Sequence, residues 1–68
     1  MKTAQEVIDY LAQVSDYRYL AMDEDGEWYA FVNKPSIGSS TWYSRFGIQL
    51  GNIQPATDWT QSLTEAKV

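Results

Sequence analysis

Sixty-eight residues make one small domain, spanning 1–68, whose core can hide only about 60% of the surface its unfolded chain exposes. With no cysteine and no histidine, the chain has no disulfide framework, no thiolate or imidazole metal ligand and no ordinary neutral-pH base. A net charge of −4, with only Lys2, Arg18, Lys34, Arg45 and Lys67 as scattered cations, argues against a phosphate-binding surface, which needs clustered Lys and Arg.

The chain opens on Thr3-Ala4-Gln5-Glu6, the spacing of a capping box, in which a threonine hydroxyl and a glutamate carboxylate each satisfy a free amide of the first helical turn. Ala4, Val7, Ile8, Leu11 and Ala12, with Val14 on the edge, then recur at three- and four-residue steps, while Gln5, Glu6, Asp9 and Gln13 take the opposite face. This predicts a helix over residues 4–14 that needs a sheet to cover, ended by Ser15-Asp16. Residues 17–22 are strand-like in composition.

Asp23-Glu24-Asp25-Gly26-Glu27-Trp28-Tyr29-Ala30-Phe31-Val32-Asn33-Lys34-Pro35 is the organising stretch, an acidic turn feeding an aromatic strand that stops at a proline. A two-residue Asp25-Gly26 turn would set Glu24 against Glu27, like charge on like, so a three-residue Glu24-Asp25-Gly26 loop is preferred, with Gly26 left-handed. Its register pairs Asp23 with Glu27, Met22 with Trp28, Ala21 with Tyr29, Leu20 with Ala30, Tyr19 with Phe31 and Arg18 with Val32. Alternation then puts Leu20, Met22, Trp28, Ala30 and Val32 on one face, and Tyr17, Tyr19, Ala21, Tyr29 and Phe31 on the other.

Beyond Pro35, residues 36–40 read as a polar loop, Thr41-Trp42-Tyr43-Ser44 as a third strand and residues 47–53 as a fourth, with Ile48, Leu50 and Ile53 its apolar positions. Thr57 or Asp58 can cap a short turn carrying Trp59 and Leu63 on one face, after which residues 64–68 are expected to fray. The fold expected is α+β: one N-terminal helix packed on a three- to four-stranded antiparallel sheet, with a short C-terminal helical turn. A lone helix covers one sheet face, leaving the second for the Trp59–Leu63 segment, a second copy or a partner.

Chemistry is hard to place on this chain. Counting Asp23 as the first ligand of a calcium loop puts Trp28 where the loop glycine belongs and Lys34 where the closing glutamate belongs, so a solvated hairpin tip is the better explanation and no metal or cofactor is expected. Residues 34–40 lack P-loop spacing, and no serine has a histidine or lysine beside it to act as base, so an enzyme is not expected. Ten aromatic residues in so short a chain exceed what a small core readily holds. Tyrosine and tryptophan concentrate at interfaces, although bulky rings also fill the cores of short β-rich domains. An aromatic platform for single-stranded nucleic acid is disfavoured by the acidic turn beside it.

Asp25-Gly26-Glu27-Trp28-Tyr29-Ala30-Phe31, then Lys34-Pro35, Trp42, Asp58-Trp59 and Ser62-Leu63 form a pattern over residues 23–63 that resembles small uncharacterised proteins of phages and prophages. The resemblance implies a phage origin, and with it a protein that binds and disables host machinery such as restriction, CRISPR or transcription enzymes; it carries no catalytic residues. The partner surface expected is Tyr17, Tyr19, Tyr29, Phe31, Trp42 and Tyr43 as apolar centre, with Asp23, Glu24, Asp25 and Glu27 steering toward a host protein with a basic surface. The rival expectation is a self-associating phage accessory or structural protein, such as a homodimer. Met1–Glu6 has no apolar signal core behind it and no run spans a membrane, so a cytoplasmic location is expected.

Overall fold

The computed structural model describes residues 1–68. In chain order the elements are α1 (Ala4–Val14), β1 (Tyr19–Met22), β2 (Trp28–Phe31), β3 (Ser36–Ile37), β4 (Trp42–Tyr43), β5 (Ile48–Leu50), a single 3-10 turn at Trp59–Gln61 and β6 (Thr64–Glu65). The fold is α+β: α1 packs on a four-stranded antiparallel sheet of order β5-β2-β1-β6, with β3 and β4 as a separate two-stranded hairpin. No helix is long and apolar enough to cross a membrane.

The helix begins where the capping spacing puts it. The Glu6 amide donates to Thr3 Oγ1 at 3.2 Å and the Thr3 amide donates to Glu6 Oε1 at 3.0 Å, so two otherwise free donors are satisfied. At the other end the Arg18 guanidinium donates to the carbonyls of Ala12, Ser15 and Tyr17 at 3.1, 3.2 and 3.2 Å. A cation there also faces the negative end of the helix dipole.

The β1–β2 hairpin has the three-residue loop and, from Tyr19 to Met22, the register read from the sequence; the expected Arg18–Val32 pair does not form, because the Arg18 amide donates to Phe31 O at 3.0 Å. Met22 lies opposite Trp28, Ala21 opposite Tyr29, Leu20 opposite Ala30 and Tyr19 opposite Phe31. The Asp23 amide donates to Glu27 O at 2.9 Å, the Gly26 amide donates to Asp23 O at 2.9 Å, and Gly26 is left-handed at φ 91°. Leu20, Met22, Trp28 and Ala30 thus face α1, where with Ile8 and Ile53 they form the buried core. Removing each large apolar side chain from water stabilises the fold by about 1.5–3 kcal/mol.

Four further expectations change. Tyr17 precedes the ladder, so strand alternation does not reach it, and its ring packs on the helix-side core instead of beside Tyr19. The strand at Trp42–Tyr43 is not part of the main sheet; it pairs with Ser36–Ile37, in the stretch read as loop. Residues 64–65 are not frayed but form β6, the edge strand beside β1. Two bonds hold this terminus on α1, because Gln5 Nε2 donates to Glu65 O at 3.0 Å and the Lys67 amide donates to Asp9 Oδ1 at 2.8 Å.

The last change concerns the second sheet face, which the chain closes with its own 33–47 segment. Ala21 and Phe31, both on that face, are 0% and 3% exposed, and Gly47 sits so close that a Cβ there would lie 2.6 Å from Phe31 Cε1. Trp59, expected as a possible cover for this face, packs on the helix-side core. The 3-10 geometry of its turn, with three residues per turn, does not stack positions four apart.

Candidate functional site

The acidic turn and the β3–β4 hairpin are stitched together by backbone and carboxylate. The Trp42 amide donates to Asp23 Oδ1 at 2.8 Å and the Glu24 amide donates to Ser40 O at 3.0 Å. Asp23 is therefore 6% exposed and does not act as a surface charge. Burial pushes its carboxyl above the usual carboxylate range, opposed by the Trp42 hydrogen bond and reinforced by the charge of Asp25. Glu24, Asp25 and Glu27 remain exposed at the tip. Asp25 Oδ1 accepts the Glu27 amide at 3.0 Å, and Glu27 Oε2 accepts Gln49 Nε2 at 2.6 Å from the neighbouring strand. No three carboxylates are grouped to hold a metal ion.

The six aromatic residues expected as a partner surface divide by burial. Phe31 is core, as shown above, and cannot meet a partner without unfolding. Tyr17 is half-buried on the helix side, and Tyr19 and Tyr29 are half-buried on the second face. Trp42 is also half-buried, its Nε1 donating to Trp59 O at 3.0 Å, which ties the hairpin to the C-terminal turn. Tyr43 is the one of the six that stands out, 59% exposed and adjacent in sequence to the amide held by Asp23.

Two exposed apolar residues beyond this set belong to the same part of the chain. Ile37 is 45% exposed on β3, and Phe46 is 76% exposed with φ 59°, a left-handed backbone costing an aromatic residue about 1–2 kcal/mol. The sequence carries a faint signal for this in the step from Phe46 to Gly47, a glycine required by contact with Phe31.

A second surface lies between α1 and β5, where a groove of about 530 Å³ is lined by Val7, Tyr10, Leu11 and Leu50, with Lys2 and Glu6 at one end. Tyr10, Val14 and Ile48 are 63%, 60% and 39% exposed. Its signal is legible: Val7, Tyr10, Leu11 and Val14 follow the i, i+3, i+4, i+7 rule of one helical face, offset from the face that buries Ile8. Compared with known proteins, the chain is matched by no family model, no curated protein and no solved structure.

Proposed function

We propose that this is a small acidic protein-binding module of phage type, which disables a host protein, defence-related in the leading reading, by occupying a basic patch on its surface. The observation that carries the reading is the bond between Asp23 and Trp42. It fixes the exposed carboxylates of Glu24, Asp25 and Glu27 and the exposed ring of Tyr43 on one cross-braced unit, so little conformational entropy is lost on docking. An aromatic anchor supplies contact area and the flanking carboxylates supply attraction to lysine and arginine. The resemblance of residues 23–63 to phage proteins supports the host-directed role.

The test is capture of tagged protein from bacterial lysate, comparing wild type with Tyr43→Ala and with the triple change Glu24→Gln, Asp25→Asn, Glu27→Gln. The expected result is one stoichiometric host protein whose recovery falls with salt and in both variants. Equal recovery by all three proteins, or none by wild type, overturns the reading.

A further inference from the structure

We infer that Asp25 is a site of spontaneous modification, where the chain rearranges to the isoaspartyl form through a cyclic imide made with the Gly26 nitrogen; this goes beyond the binding reading and does not depend on it. The reaction needs a side-chain carboxyl folded forward over the next peptide bond, and the hairpin tip supplies that geometry. Asp25 Oδ1 accepts the Glu27 amide at 3.0 Å, two residues on, so the carboxyl lies across the Asp25–Gly26 link. Gly26, left-handed at φ 91°, has no side chain, and a Cβ there would meet nothing within 4 Å, so the approach of its nitrogen to the carboxyl carbon is uncrowded. Glu24, Asp25, Gly26 and Glu27 are all exposed, which admits the water that reopens the ring.

The step balances without a co-reactant. The Gly26 nitrogen bonds to Asp25 Cγ as its proton leaves, the Cγ–OH bond of the protonated carboxyl breaks, and one water departs. Water then adds to the backbone carbonyl carbon of Asp25, the bond from that carbon to nitrogen breaks, and the nitrogen regains a proton. Gly26 is left attached through Cγ, and the former backbone carbonyl becomes a free carboxylate. Composition and charge are unchanged, but the loop is one carbon longer. Before the ring can close, the Gly26 amide must release Asp23 O, to which it donates at 2.9 Å. Closure therefore waits on opening of the tip, and exposed loops open at the low end of the free-energy range for local unfolding.

The other four aspartates each lack part of this arrangement. Asp58 is the nearest parallel: its Oδ1 accepts the amide two residues on, that of Thr60, at the same 3.0 Å, but the residue between is Trp59, bulky and half-buried. Asp9 lies within α1, its carboxylate held by Gln5 and the Lys67 amide, and both Asp9 and Asp16 are followed by tyrosine. Asp23 is buried, and the amide after it donates to Ser40 O. Asp25 alone joins a forward-folded carboxyl to a glycine. The longer loop acts on the tip itself, because the oxygen that held the Glu27 amide becomes part of the backbone and the Gly26–Asp23 bond loses its spacing.

The experiment incubates the folded chain for several weeks at neutral pH in heavy-oxygen water, beside the same chain unfolded in guanidinium chloride and the variant Asp25→Glu. Isoaspartate is read by electron-transfer fragmentation and by enzymatic methylation of isoaspartyl carboxylates. Folded wild type should accumulate isoaspartate at Asp25, more slowly than the unfolded chain, with one heavy oxygen taken up per event, while Asp58 stays unmodified. The modified molecules should exchange the Gly26 and Glu27 amides faster, with unchanged circular dichroism. Asp25→Glu keeps the charge but can close only a larger, less favourable ring, so it should gain no methylation. Absence of isoaspartate at Asp25 in the folded chain overturns the inference, whether or not the unfolded chain forms it. Equal amounts at Asp25 and Asp58 overturn it too, as does methylation that persists in Asp25→Glu.

Discussion

Asp23 Oδ1 accepts the amide of Trp42 at 2.8 Å from a side chain that is 6% exposed, so one carboxylate joins the main sheet to the hairpin that covers it. Because burial holds this carboxyl above its ordinary value of 3.8, the folded chain keeps the proton more tightly than the unfolded chain. Protonation therefore favours folding, and the contribution of Asp23 to stability falls as pH rises from that ordinary value through the raised one. Glu6, Asp9 and Asp58 have the opposite sign: hydrogen bonds from Thr3, from the Lys67 amide and Gln5, and from Thr60 lower their values, so their stabilisation is lost as pH falls. Asp23→Asn keeps an acceptor for Trp42 and removes the buried charge, so in urea titrations it should gain on wild type as pH rises above 3.8. A difference that does not change with pH would refute this. Asp23→Ala, which orphans the Trp42 amide, should cost about 1–3 kcal/mol.

Ser62 should be as sensitive as a core residue. Buried at 4% exposure, it stands beside β1 past the end of β6, where its Oγ accepts the Met22 amide at 2.8 Å. Its single proton chooses between Trp59 O at 2.7 Å and Met22 O at 3.1 Å, the shorter being favoured. Ser62→Ala leaves the Met22 amide without a partner and should lower unfolding free energy by about 1–3 kcal/mol with an unchanged m-value. A loss below about 0.5 kcal/mol would mean that water replaces the hydroxyl.

Glycines 47 and 51 make a matched pair. A Cβ at Gly47 would meet the buried Phe31 ring at 2.6 Å, whereas one at Gly51 meets nothing within 4 Å. Gly47→Ala should destabilise by about 1–3 kcal/mol through overpacking. Gly51→Ala should be neutral, or stabilising by up to about 1 kcal/mol because the unfolded chain loses freedom. Equal thermal midpoints for the two variants would contradict the packing of Gly47 on Phe31.

Phe31 and Tyr43 separate fold from surface. Phe31→Ala should cost about 3–5 kcal/mol, enough to unfold a domain of this size. Tyr43→Ala should leave the thermal midpoint within about 2 °C, because surface changes away from special contacts cost little. If Phe31→Ala folds normally, the second face is open after all.

The helix, its cap, the hairpin loop and the β1–β2 register were all legible, because each is set within a few residues by capping chemistry, period and like-charge avoidance. What escaped was non-local. Thr64-Glu65 is too short and polar to announce a strand, and becomes one only because the Trp59–Gln61 turn and the hold of Gln5 and Asp9 bring it alongside Tyr19 and Leu20. Ser36-Ile37 lacks alternation and pairs because Trp42 is pinned at a distance by Asp23. For the candidate surface, residue type marked the right neighbourhood but not the side. Asp23 and Phe31 look like solvent-facing residues of an exposed hairpin until the 33–47 segment folds over them, whereas the spacing of Tyr10 and Val14 is legible in the helix but their exposure, 63% and 60%, is not.

The Lys67–Asp9 and β6–β1 contacts join residues more than forty positions apart, and they make the domain a clasp fastened at its last stitch. On the ribosome, the helix and central hairpin emerge first, yet β1 keeps a bare edge until residues 64–67 have left the exit tunnel. A proteolytic cut or a stalled translation just before Thr64 would therefore release a species with an open strand edge at Tyr19–Leu20, the kind of edge that seeds aggregation.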